Sequence, residues 1–169
     1  MNQKMNIRKV SLSGVLIALG VVCSTFYIPI GASKCFPIQH AINVIAAVLL
    51  GPVYGISMAF CTSFLRILLG TGSFLAFPGS MVGALLCGLV YQKTKNLFAT
   101  FLAEAIGTGI FGALLAFPVA TLFMGKDAAL YTFVLPFIIS SSIGAFFSLF
   151  FIGILEKTKV LSMVKQTME

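Results

Sequence analysis

His40, Asn43, Arg66 and Glu104 are strongly polar side chains set in otherwise apolar runs of this chain. Groups of this kind are costly away from water and are read as functional by default. Between them they cover both halves of hydrogen bonding. An imidazole and an amide donate and accept, a guanidinium only donates, and a carboxylate only accepts. At helical spacing His40, Asn43 and Ala47 share one face, while Glu104, Thr108 and Gly112 share another, an inward polar stripe that ends at bare backbone. Each residue also has a plainer role open to it. His40 could cap a helix turn or meet interface water, and Arg66 could snorkel toward the nearer surface. The run Ser140-Ser141-Ser142, with Gly144 and Ser148, supplies hydroxyls either to a ligand, Ser141 foremost, or to neighbouring helices.

Arg66 also opens the stretch around which the chain is organised. After it come a break at Gly70-Thr71-Gly72-Ser73, the aromatics Phe74 and Phe77, and a restart at Pro78-Gly79-Ser80. Glycine lets backbone turn or approach a ligand closely, and irregular backbone at membrane depth survives only against protein or a polar cavity. Two readings follow: a re-entrant loop that lines or lids a small-molecule site, with Ser73 and Phe77 on it, or an ordinary inter-helix turn. Enzyme templates fail throughout. The chain has no G-x-S-x-G, no H-E-x-x-H and no carboxylate pair within an apolar run, and Gly70-Thr71-Gly72-Ser73 lacks the lysine of a P-loop. Four scattered cysteines without a C-x-x-C pair, and a single histidine, argue against a metal site or a disulfide framework. No cofactor is indicated.

The elements that carry these residues must be membrane spans. With 59% apolar and 9% charged residues among 169, and a mean hydropathy of +1.09, there is too little polar surface to clothe a soluble core. Long apolar runs, rather than alternating ten-residue segments, make the spans helical. The chain reads as one integral membrane domain over residues 1–169, with spans at about 10–28, 38–50, 53–69, 78–91, 97–123 and 129–155. Ile38 to Leu69 as a single helix would be about 48 Å long, against a bilayer core of about 30 Å, so it is divided at Gly51-Pro52. Charge supports the division. Six spans put Lys4, Arg8, Lys9, Lys93, Lys95, Lys157, Lys159 and Lys165 on the cytoplasmic side and leave Lys34 and Lys126 outside; five would spoil that asymmetry. The net charge of +7 is thus a topology signal, not a nucleic-acid footprint. The fold expected is an all-α six-helix membrane bundle with both termini cytoplasmic.

Counting 1.5 Å per residue from the cytoplasmic boundary puts Glu104 roughly 10 Å up, Asn43 about 12 Å, His40 about 16 Å and Arg66 about 20 Å. That is a staircase rather than a cluster, with a ligand or further polar groups bridging Glu104 to Arg66. Lys34 reads as a solvated loop lysine. Small residues at four-residue spacing (Gly14/Ala18, Gly55/Ala59/Ser63, Gly79/Gly83/Cys87) allow close helix approach.

Six short spans, a basic start and Gly14-x-x-x-Ala18 early in the first helix resemble an S component of an energy-coupling factor transporter. More specifically, Lys34 to His40 with Asn43, Leu50-Gly51-Pro52, Arg66 with Gly70 to Ser80, and Glu104 with Gly107-Thr108-Gly109 resemble the ThiW type over about residues 8–155. The resemblance implies a substrate-capture subunit in the bacterial plasma membrane, taking up hydroxyethylthiazole, the thiazole precursor of thiamin. It also implies partners: a transmembrane subunit docked at Gly14 and Ala18, where that family usually has Ala-x-x-x-Ala, and two ATPase subunits. The expected binding residues are His40, Asn43, Arg66, Ser73, Phe77, Glu104, Thr108 and Ser141. Capture of the thiamin pyrimidine precursor or a related vitamin is the alternative within the class, and an intramembrane enzyme built on His40 and Glu104 the alternative outside it.

Overall fold

A computed structural model describes residues 6–30 and 33–168; Lys4 lies outside the described residues. Asn6 caps the first helix, its side chain accepting from the backbone of Arg8 and Lys9. This helix, α1 (Ile7–Val22), tightens into a 3₁₀ turn at Cys23–Thr25. A plain loop was expected next, and the chain instead forms a small antiparallel hairpin. β1 (Ile28–Ile30) pairs with β2 (Ser33–Cys35), Ile28 opposite Cys35 and Pro29 opposite Lys34. Helices α2 (Pro37–Leu49) and α3 (Pro52–Leu68) both carry proline in the first turn, where its missing donor costs nothing. Then come α4 (Ala76–Thr94) and α5 (Leu97–Phe123), the latter capped by Asn96. Next is α6 (Val134–Lys157), followed by a short α7 (Val160–Met168). The segment expected from residue 129 begins as helix only at Val134, because Thr132 and Val134 close turns onto the carbonyls of Ala129 and Tyr131.

Helices α2 and α4 form the centre, packed on each other. α2 also packs on α6, and α4 on α3 and α5, while α1 lies on α3 and α5 on α6. By length and composition, the helical stretches Ile7–Thr25, Leu97–Phe123 and Val134–Lys157 can cross a membrane, whereas α2 and α3 are shorter and apolar. Polar groups sit among the apolar side chains of the interior, and large apolar side chains cover the exterior. Arg66, Glu104, Asn43, Thr100, Thr108, Ser63 and Ser141 are buried, while Phe60, Phe64, Leu115, Phe146, Phe147 and Phe150 point outward. Water as outer solvent would drive the opposite arrangement; a hydrocarbon solvent favours this one. The chain is a multi-pass membrane protein of the all-α class, its one small hairpin aside.

Two features position the site. At 13 residues, α2 is only about 20 Å long. It starts below the hairpin and leaves a recess that the hairpin, the turn after α3 and the segment before α6 surround. Within α5, Gly107–Gly112 and Val119–Phe123 are wound in wider π turns, which are enriched at functional sites. At the opposite end α7 folds back over the bundle. Lys165 Nζ donates to the Tyr91 hydroxyl at 2.7 Å, Arg8 donates to the carbonyl of Thr167 at 2.6 Å, and Leu161 is buried.

Candidate functional site

Glu104 is fully buried on α5, and four side chains converge on its carboxylate. His40 Nδ1 lies 2.8 Å from Oε1, Asn43 Nδ2 donates to the same oxygen at 3.0 Å, and the Thr108 hydroxyl is 3.1 Å from it. Cys87 Sγ, on α4, reaches Oε2 at 3.1 Å. With Nδ1 engaged by Glu104, Nε2 is the ring nitrogen of His40 left for a ligand in the cavity. Asn43 also donates to the Ser80 carbonyl at 3.2 Å, and Thr108 lies 3.1 Å from the Gly79 carbonyl. The network thus ties α2, α4 and α5 together. Gly83 makes room for it. A Cβ there would stand 2.7 Å and 2.9 Å from the two Glu104 oxygens and would overlap the Thr108 hydroxyl.

The staircase expected from residue counting is therefore wrong in its lower part. His40, Asn43, Glu104 and Thr108 make one cluster, because side chains reaching across between packed helices close the few ångströms of height that residue counting assigns them. Arg66 does stand apart from Glu104. It is 1% exposed at the end of α3; one terminal nitrogen donates to Gln39 Oε1 and the other to the Thr71 carbonyl at 3.4 Å. Its guanidinium lies over the Phe36 ring, 3.9 Å from the centroid, in cation–π geometry. The backbone carbonyl of Arg66 accepts from Thr71 and Gly72 at 2.9 Å and 3.0 Å. This closes a tight turn in which Gly70 adopts φ +72°, a conformation few other residues take without strain. So Gly70–Ser73 is an inter-helix turn, and at the same time it lines a cavity.

That cavity holds about 330 Å³, at the lower end of the roughly 300–1,000 Å³ of small-molecule sites. His40, Arg66, Ser73 and Thr108 line it, as do Gln39, Phe36, Ser80, Phe133, Phe137, Ser140, Lys34 and Lys126. Asn43 and Glu104 stand behind the lining, joined to it through His40 and Thr108. Phe77 packs instead against Phe60, centroids 5.4 Å apart, and is not part of the lining. Ser141 turns its hydroxyl to the Phe137 carbonyl at 2.8 Å, and Ser140 takes the cavity position. Lys34 is exposed, 4.5 Å above the Tyr27 ring, and still borders the cavity. Gly14 and Ala18 are exposed on α1, with open space beside Gly14. A second hollow of about 350 Å³ is walled by Phe26, Tyr27, Ile28, Pro37, Ile38, Ala41, Ile143 and Phe147 and has little polar surface. Among the described residues, no three His, Cys, Asp or Glu side chains gather into a metal-binding group.

Sequence reasoning missed Gln39, Phe36, Ser80, Lys126 and Cys87. Gln39 carried a usable signal, a second amide one turn before Asn43 in an apolar helix. Cys87 was hidden by its place in the stripe Gly79/Gly83/Cys87, where it reads as packing.

The chain thus carries a recess at one end of a small helical bundle, with polar groups gathered on its short central helix. The crystal structure at 2.1 Å of the S-component for biotin from an ECF-type ABC transporter superposes with a TM-score of 0.66. The match covers 93% of this chain and 95% of that one at 21% identity, and it speaks to fold alone. Comparison with curated protein sequences returns no match. The family model for ThiW, thiamine-precursor transporter protein, matches residues 10–158, and the chain belongs to that family.

Proposed function

We propose that this protein is the substrate-capture subunit of an energy-coupling factor importer and that it binds the thiazole precursor of thiamin, hydroxyethylthiazole. The observation that carries the reading is the mixed character of the cavity. Phe36, Phe133 and Phe137 offer faces for a small aromatic ring, and His40, Thr108 and Ser80 offer hydrogen bonds for a ring nitrogen and a hydroxyl. Glu104 acts behind them, holding His40 and Thr108 in place. In this reading the chain forms six spans with both ends in the cytoplasm of a bacterial cell, and the cavity opens outward. A transmembrane partner docks on the Gly14/Ala18 face of α1, and two ATPase subunits supply the energy. Gly14 and Ala18 support the docking role because they are small, exposed and one helical turn apart. The test is to purify the protein and identify the co-purified or titrated ligand by mass spectrometry and calorimetry. One-to-one binding of unaltered hydroxyethylthiazole is expected. Binding of the pyrimidine precursor alone would move the assignment, and chemical conversion of the ligand would overturn the capture role.

A further inference from the structure

The walls of the cavity carry charge of one sign. Lys34, Arg66 and Lys126 border it, and neither Asp nor Glu is among its lining residues. Glu104 is turned away into its own ring of donors, and Asp127, beside Lys126, is exposed and outside the lining. A neutral alcohol has no need of three cations. A second observation points the same way. Among the described residues, two buried side-chain nitrogen or oxygen atoms lack a hydrogen-bond partner, Arg66 Nε and Ser80 Oγ, and both residues line this cavity. Buried polar atoms left open are costly unless something fills them. Here the open groups are a guanidinium N–H and a hydroxyl, which together suit an oxygen-rich acceptor.

We infer that the cavity binds its ligand through an anionic group, a phosphate ester or a carboxylate, held by Arg66 and Ser80 with Lys34 and Lys126 at the rim. The inference rests on the thiazole reading and narrows it. The preferred ligand is a thiazole bearing a negative charge on its side chain, and the free alcohol is the weaker one. Phe36 supports this use of Arg66, since stacking fixes the plane of the guanidinium while Gln39 holds one terminal nitrogen.

The test is calorimetry at neutral pH with three probes: hydroxyethylthiazole, its phosphate monoester, and the thiazole acetate formed by oxidising the alcohol to the acid. At least one anion should bind about tenfold or more tightly than the alcohol, since charge-assisted hydrogen bonds are roughly twice as strong as neutral ones. The preference should shrink with added salt. Which of the two anions wins identifies the group. Lys34→Gln and Lys126→Gln alter exposed side chains and so spare the fold; each should lower the affinity for the anion more than for the alcohol. Arg66→Lys, which keeps the charge and loses the fork, should lower it further. An alcohol that binds as tightly as both anions would overturn this inference and leave the thiazole function standing. Failure of all three probes to bind would overturn both.

Discussion

At the scale of single residues, the site depends on one acceptor serving several donors. Removing the Glu104 carboxylate leaves His40 Nδ1 without its partner and Asn43, Thr108 and Cys87 with only the backbone carbonyls of Ser80, Gly79 and Thr100. Glu104→Ala and His40→Ala should each weaken ligand binding at least about fivefold, the lower end of what one buried hydrogen bond contributes. Calorimetry on folded protein in detergent measures this, and unchanged affinity in both variants would reduce these residues to helix fasteners. Gly83→Ala presses on the same spot from α4. Its Cβ would crowd the Glu104 oxygens, and overpacking of this kind costs about 1–3 kcal/mol, read as a lower melting temperature in the same detergent. His40, Asn43 and Glu104 stand out in the sequence as strongly polar side chains within apolar runs. Phe77 and Ser141 were misplaced because residue type and spacing say nothing about which way a helix is rotated. Phe77 faces Phe60, and the rotation of α6 hands the cavity to Ser140.

At the scale of elements, α1 is the least buried of the three long apolar helices. It buries Ser13, Leu16 and Gly20 on one side and leaves Gly14 and Ala18 on the other. If that open face meets the partner, Gly14→Leu and Ala18→Leu should abolish co-purification with the transmembrane subunit, and uptake with it, while ligand binding in the isolated protein persists. Survival of complex formation in both variants would remove the face from consideration. Helices α1 to α6 lie on apolar runs that the sequence shows, whereas α7 falls in the polar tail beyond every expected span. The hairpin could not be read there, because three-residue strands leave no periodicity to detect. The π turns of α5 were equally hidden; in the first of them Gly107 and Gly109 pack closely against α4 and α6, a tertiary contact that spacing does not reveal.

At the scale of the whole molecule, the asymmetry of basic residues fixes an expectation about sides. Cysteines introduced at Lys93 and Lys159 should be labelled only from the cytoplasm, and one at Lys126 only from outside. Labelling of position 93 from outside would remove the six-span arrangement, and the outward-facing cavity with it. Helix length and charge together supported this reading of the sequence. The exchange of inside and outside polarity, with Arg66 and Glu104 buried and phenylalanines at the rim, became visible only once the helices were packed.

The contacts of α7 have a practical consequence for handling the protein. Through Arg8 and Thr167 the first and last helices meet at one spot, on the end of the bundle remote from the cavity. A sensor chip that grips the chain by either terminus therefore holds it by the same pole. Small molecules should reach the free pole and give full binding responses. A large partner approaching the start of α1 would meet the chip surface first.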